Sequence, residues 1–277
     1  MSARTSDRFE AGMVVREAGV FDGRRPVVWV HGLGESSRCF LDVLADPWWG
    51  DLPHLLPDLP GYGRSPWPAN EPAPTALPAS DDRSAEASLA QHADHLAAWL
   101  RGRGIPQVTV IGHSMGAIVG LHLAERHPDL VHTLIDVEGN KTPPDCAFSS
   151  VAAAYPRDAY RADGHAALLA RVHGAGVEDP AQRGYFVSMS FADPGVLHAD
   201  AIGLVVGSRG GRFATRLAAI PRALYVPGVG GSGGAAPGSV AAVRAAGVPI
   251  EPVGPSGHWP FIDAPDAFVA AVRPWCD

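Results

Sequence analysis

Lysine is almost missing from this 277-residue chain: all but one of its 22 basic residues are arginine, the exception being Lys141. That bias points to a GC-rich genome rather than to a mechanism. Blocks of like charge are absent too. With 29 acidic residues and a net charge of −7, the chain has no basic surface of the kind nucleic acid requires. No stretch approaches the roughly 18 uninterrupted apolar residues of a membrane helix. The segment Met1–Gly12 is polar and lacks the apolar centre of a secretory signal. Cysteine is scarce, and Cys39, Cys146 and Cys276 are widely spaced, odd in number and not arranged as CxxC; they are expected to be reduced thiols rather than a disulfide framework. These absences lead to the expectation of a cytoplasmic protein acting on a small molecule, with neither nucleic acid nor membrane as partner and with its oligomeric state open.

Apolar residues, in contrast, make up 46% of the chain, enough for a core that buries about three quarters of the unfolded surface. Their spacing alternates between two periods. Val14–Glu17, Pro26–Val30 and His54–Leu56 are short β-rich runs, with a helix expected from Ser36 and a proline-rich loop over Pro66–Pro78. Leu89, His92, Leu96, Trp99 and Leu100 recur at helical spacing within Ser84–Arg103. Val108–Ile111 reads as a strand buried on both faces, followed by a helix to His127 and a strand over Leu134–Val137. After Arg212 the alternation resumes: strand Ala223–Val226, helix Ser239–Ala246, strand Pro249–Val253, helix Pro265–Val272. Such alternation predicts an α/β fold with a mainly parallel, doubly wound sheet. Residues 141–212 break the rhythm with helical stretches and no strand. They are expected to form a helical lid, so that 1–140 and 213–277 make one core and 141–212 a cap.

Ligands of open parallel sheets bind beyond the carboxyl ends of the strands. One such end reads Gly112-His113-Ser114-Met115-Gly116, a G-x-S-x-G pattern between a buried strand and a helix. A sharp turn there would lift the Ser114 oxygen clear of the backbone at a helix N-terminus. The bare pattern is weak evidence, since Gly230–Gly234 matches it as well but has no helix behind it. A serine hydroxyl needs a base, and His258, in a loop just past the last strand, is the best placed of the twelve histidines. His31 begins a glycine turn and is expected to brace it, and His113 to point away from the nucleophile. No histidine spacing suggests a metal.

With these residues in view, the chain resembles the α/β-hydrolase-fold serine hydrolases, in the esterase- and lipase-like branch that carries a helical cap after the sixth strand. The likeness runs through His31-Gly32-Leu33-Gly34, Asp58–Ser65, the Ser114 turn and Gly257-His258. It implies an oxyanion hole built from the backbone N–H groups of Leu33 and Met115, and a structural role for Asp58–Ser65. It implies catalysis through an acyl-enzyme on Ser114, with no metal or organic cofactor.

One departure stands out. Most members of this branch carry an aspartate after the seventh strand, but here Pro227–Pro237 is a glycine-rich run, and no carboxylate occurs between Val226 and Pro249. Some members place the acid after the sixth strand, where this chain has Leu134-Ile135-Asp136-Val137-Glu138. Glu138 at the strand end is the expected third member. Asp136, on the same face but deeper, is the alternative, and a triad without an acid stays open.

Expected pocket residues are Gly32, Gly34, Phe148, Tyr185, Phe186, Met189 and Trp259. An aromatic, partly closed pocket favours a small or medium apolar ester, thioester or lactone over a polymer. Two other outcomes remain open on this sequence: a non-hydrolytic enzyme of the same scaffold (carbon–carbon cleavage, lyase, cyclase or acyl transfer) and a catalytically silent small-molecule binder.

Overall fold

A computed structural model describes residues 5–70 and 73–276. The first four residues of the polar leader segment, and residues 71–72 of the proline-rich loop, lie outside the described residues. Seven strands form one sheet in the order β1-β2-β4-β3-β5-β6-β7. They are Ser6–Glu10 (β1), Met13–Ala18 (β2), Val27–Val30 (β3), His54–Pro57 (β4), Val108–His113 (β5), Val131–Val137 (β6) and Ala223–Val226 (β7). β1–β2 and β2–β4 pair antiparallel, and every pair from β4 across to β7 is parallel. The central strands β3, β4 and β5 are buried along their whole length, as continuous apolar runs in a parallel sheet should be.

Helix α1 (Ala87–Gly102) packs on α2 (Met115–Arg126), which lies against β3, β5 and β6. Elsewhere Trp29 anchors an aromatic cluster, its ring centroid 5.1 Å from both Phe40 and Trp49. Between β6 and β7 the chain is helical: α3 (Ser149–Ala153), α4 (Arg157–Ala159), a π-helical turn (Tyr160–Gly164), α5 (His165–Ala175), α6 (Pro180–Met189), α7 (Pro194–Ser208) and α8 (Arg212–Ala218). α7 is buried on nearly every side, as expected for a helix apolar all round. It carries the buried Asp200, which accepts hydrogen bonds from Tyr62 Oη at 2.6 Å and His92 Nε2 at 3.0 Å. No helix among the described residues is long and apolar enough to cross a membrane.

Two local readings of the sequence are corrected, and one strand is added to them. The helix expected from Ser36 is a series of short 3₁₀ turns, Ser37–Phe40, Val43–Ala45 and Pro47–Trp49. Asp46 diverts its side chain to the Trp48 amide at 2.7 Å, and Pro47 and Gly50 cannot propagate a helix. The strand expected over Pro249–Val253 reduces to a single bridge from Ile250 to Tyr225, because Pro249 and Pro252 have no N–H to offer a ladder. Pairing resumes one step later, where Val253–Ser256 (β9) joins Gly228–Gly230 (β8) in a separate two-stranded sheet. The added strand, β1, is drawn from the polar N-terminal segment and is an exposed edge paired to β2. Helices α9 (Pro237–Ala245), α10 (Pro260–Asp263) and α11 (Pro265–Val272) complete the fold.

Candidate active site

β5 runs buried into Ser114, whose backbone takes φ 51°, ψ −117° before α2 begins. A non-glycine residue rarely adopts positive φ, and such strain concentrates where function holds it. Close packing explains the flanking glycines. A Cβ on Gly116 would sit 2.0 Å from the Val30 carbonyl oxygen, and one on Gly112 would sit 2.4 Å from that of Gly116. The Ser114 amide is held by the Val137 carbonyl at 2.8 Å. Met115, the first residue of α2, has no intrahelical acceptor for its N–H, and among the described residues none is found elsewhere.

The turn after β3 leaves backbone amides unpaired among the described residues, those of Leu33 and Gly34. His31 accepts from the Leu59 amide at Nε2 (3.0 Å), so its Nδ1 carries the proton and donates to the Gly32 carbonyl at 2.9 Å. Burial lowers the His31 pKa, in keeping with this neutral form. The Gly32 amide donates to Glu35 Oε2 at 2.7 Å, and the Glu35 amide to the Gly32 carbonyl at 3.1 Å. Leu33 N–H has no partner among the described residues. The two amides expected from the sequence to face an oxyanion, Leu33 N–H and Met115 N–H, are therefore both unpartnered among the described residues.

His258 follows β9 and faces Glu138, the residue just after β6. His258 Nδ1 lies 3.0 Å from Glu138 Oε2. Glu138 takes φ 54°, and its second oxygen accepts from the amides of Gly228 at 2.6 Å and Ala235 at 3.0 Å. The glycine-rich run thus holds the carboxylate with two backbone donors instead of supplying one. It can do so because it lies flush on the histidine loop: a Cβ on Gly228 would fall 1.9 Å from the Gly257 oxygen, and one on Gly231 would fall 2.4 Å from the Ser256 carbonyl carbon. Burial by itself would lower the His258 pKa, but the hydrogen bond and charge of Glu138 outweigh it and the net direction is upward. Ser114 and His258 line one cavity of about 20 Å³, room for about a single water. Its wall is apolar at Leu33, Phe148, Tyr185, Leu204 and Trp259 and polar at Asn140, Asp145 and Ser149.

Comparison with known proteins accords with this architecture. Residues 25–172 match the family model described as the alpha/beta hydrolase fold. The chain belongs to the α/β-hydrolase family. Among curated relatives it is similar to lipase LipV of Mycobacterium tuberculosis, 34% identical over 120 residues that make up 41% of this chain and 36% of that protein. It is also similar to the putative carbamate hydrolase RutD of Enterobacter cloacae, 34% identical over 119 residues, 43% of this chain and 39% of that protein. The chain thus spans less than half the length of the curated relatives it matches. A thermophilic esterase from Thermogutta terrifontis shares the fold with a TM-score of 0.69 at 19% identity, over 99% of this chain and 98% of that one.

Within this α/β hydrolase, Ser114, His258, Leu33, Gly32, Phe148, Tyr185 and Trp259 meet at the cavity, and Glu138 stands behind His258. Three of the expected pocket residues do not line it. Met189 is fully buried against Gly34, where an added Cβ would meet its Cε at 2.9 Å. Phe186 packs on His173, ring centroids 4.9 Å apart. Asp136 is not in contact with His258 either: it pairs with Lys141 Nζ at 2.6 Å and accepts from the Gly139 amide at 3.0 Å. The chain's one lysine is fully buried, and its Nζ also donates to the Gly139 carbonyl at 2.9 Å.

Two cavity-lining positions were not singled out in the reading of the sequence. Asn140 lines the cavity with its Nδ2 donated to the Asp145 carbonyl at 2.9 Å, and its buried Oδ1 has no partner. Glu35 binds the amide of Gly32, the Nδ1 of His113 at 2.9 Å and the Nε1 of Trp259 at 2.5 Å. Burial would raise the Glu35 pKa, yet the charge and hydrogen bond of His113 with the other donors bring it down to about 2. Its sequence signal was available: it is the only charged side chain between Pro26 and Ser37.

Proposed function

We propose that this protein is a serine hydrolase that cleaves a small carboxylic ester, thioester or lactone by two acyl-transfer steps. The observation that carries the reading is the Glu138–His258 pair, 3.0 Å apart, beside a strained Ser114 that shares its cavity. Glu138 keeps the Nδ1 proton on His258, so Nε2 is the basic nitrogen. His258 removes the Ser114 proton as the oxygen attacks the substrate carbonyl. The negative charge collects on an oxygen facing Leu33 N–H and Met115 N–H, where fixed donors in a dry site stabilise it. The imidazolium is stabilised by Glu138 and protonates the leaving group. Water then attacks the acyl-enzyme with His258 again as base, releasing an acid and restoring Ser114. Catalytic hydrogen bonds often tighten only when substrate is bound, which suits a pair that meets across a cavity.

The cavity also bears on substrate. A space of about 20 Å³ holds no acyl chain, so Phe148, Tyr185 and Leu204 must part for one to enter. All three belong to residues 141–212, which on this reading form the cap of a core made from 1–140 and 213–277. The free acceptor of Asn140 is available to a donor on the substrate or to the incoming water. The likeness to a lipase and to a putative carbamate hydrolase supports a hydrolase without naming this chain's substrate.

A fluorophosphonate probe, with Ser114→Ala as control, and a panel of p-nitrophenyl esters test the reading. Labelling at Ser114 together with ester turnover is the expected result. Labelling without turnover would move the assignment to acyl transfer, lyase or cyclase chemistry, and no labelling would make the protein a binder.

A further inference from the structure

We propose that His113 is held as an imidazolium, protonated on both ring nitrogens, and that its buried pair with Glu35 is the positioning element that locks together the oxyanion loop, the Ser114 turn and the His258 loop. The consequence for turnover rests on the serine-hydrolase reading; the protonation state does not.

The argument is one of donors and acceptors. His113 Nδ1 lies 2.9 Å from Glu35 Oε2, and its Nε2 lies 2.8 Å from the backbone carbonyl oxygen of His258. A carboxylate and a carbonyl only accept. A neutral imidazole has one N–H, so in either tautomer a ring lone pair would press on an oxygen at hydrogen-bond distance. Only the doubly protonated ring donates to both. A proton on Glu35 could satisfy the Nδ1 contact from the other side, since a protonated carboxyl donates and still accepts. But Glu35 is crowded with donors: Oε2 also takes the Gly32 amide at 2.7 Å and Cys39 Sγ at 3.7 Å, Oε1 takes the Trp259 indole at 2.5 Å, and the carboxyl pKa is held down at about 2. Glu35 is therefore the anion of the pair.

The charged and ring groups around His113 come from three elements. Glu35 belongs to the turn after β3. From the loop after β9 come the His258 ring, itself paired with Glu138, at 4.7 Å and the Trp259 ring at 6.3 Å, and α10 brings the Phe261 ring to 5.0 Å. Both partners are essentially sealed from solvent, with side-chain exposures of 1% and 3%. The pair also fills the space that glycine leaves at position 32, where a Cβ would come within 2.8 Å of Glu35 Oε2 and 3.1 Å of His113 Nδ1. Each member touches a different part of the proposed machinery. Glu35 fixes the Gly32 amide and so aims Leu33 N–H; His113 adjoins Ser114 in the chain and tethers the His258 backbone. Breaking such a pair leaves an uncompensated buried group, and misplacing reacting atoms by about 1 Å can cost roughly 10²-fold in rate.

The test reads the ring directly. Protein carrying ¹⁵N-histidine, assigned with His113→Asn, should show both His113 nitrogens bearing protons in the folded wild type. In Glu35→Gln the carboxamide introduces a donor among donors, and one His113 nitrogen should lose its proton. Turnover of a p-nitrophenyl ester by Glu35→Gln should fall roughly 10²-fold in kcat with little change in KM, and labelling by fluorophosphonate should slow in proportion. A wild-type His113 with one unprotonated nitrogen overturns the proposal, and that measurement stands even if the variant does not fold. A folded Glu35→Gln that keeps wild-type kcat overturns the positioning role. Protonation on both nitrogens in a wild type that turns over no ester would count against the serine-hydrolase reading and not against the charged pair.

Discussion

β6 and β7 end side by side, and their ends are built from opposite materials. β6 delivers two carboxylates, Asp136 and Glu138, two residues apart; β7 delivers a glycine run with no acid in it. Glu138 reaches forward to His258 and is gripped from behind by the amides of Gly228 and Ala235. The β7 end has exchanged a side-chain acid for backbone donors that orient a neighbour's acid. The two carboxylates are both buried but differ in partner: Asp136 pairs with Lys141, and Glu138, just past the strand at φ 54°, meets His258. A step of two residues at the end of β6 therefore separates a carboxylate paired with a lysine from one paired with a histidine.

The sharpest break of this contrast is Glu138→Gln. The amide neither fixes the His258 tautomer nor stabilises the imidazolium, so kcat should fall by about 10⁴-fold while the fold persists; circular dichroism with ester kinetics decides it, and near-normal turnover would remove Glu138 from the mechanism. Asp136→Asn should do the reverse. It strands a buried ammonium and should cost about 3 to 5 kcal/mol of stability, read by urea unfolding, with activity per folded molecule near wild type. A large kinetic loss at unchanged stability would mean that the roles of the two acids are exchanged. Next, Gly231→Ala forces a Cβ into the histidine loop and should reduce kcat/KM roughly tenfold, about 1.4 kcal/mol of transition-state stabilisation. Gly238→Ala, in α9 with open space around it, should be silent or stabilise by up to about 1 kcal/mol.

The smallest effect expected is on pH dependence. His258 must be neutral to act as base, and its pKa in the folded protein lies above the ordinary value of 6.5. The rising limb of kcat/KM should therefore lie above that pH, and activity should be lost as pH falls through the raised pKa. Glu138→Gln removes the raising interaction while burial, which lowers the pKa, remains; the limb of its residual activity should move to lower pH. A limb that stays in place would mean that Glu138 does not set the charge of His258.

Much of this was legible in one dimension. The continuous apolar run of β5 into Gly112–Gly116 marked a buried strand ending in a turn, and the elbow followed from local sterics. The Ser36 helix and the last sheet strand failed where Asp46, Pro47, Pro249 and Pro252 set local hydrogen-bonding limits that outweighed apolar spacing. Lys141 was read as a compositional accident, and Glu35 was passed over, because an isolated charge in a sequence does not show its partner. The glycine-rich run Pro227–Pro237 showed only that an acid was missing, for the same reason: the surface that Gly228 and Gly231 pack against, Ser256–Gly257, lies more than twenty residues away.

The sequence by itself determined the alternation of strands and helices, the elbow at Ser114 and a short list of partners for it, because periodicity, glycine sterics and strand-end chemistry are local. Tertiary structure decided which carboxylate meets His258, what the glycine run does and how closed the cavity is. Those outcomes depend on distances between segments far apart in the chain, and such distances are set only when the sheet register and the packing of 141–212 bring the segments together.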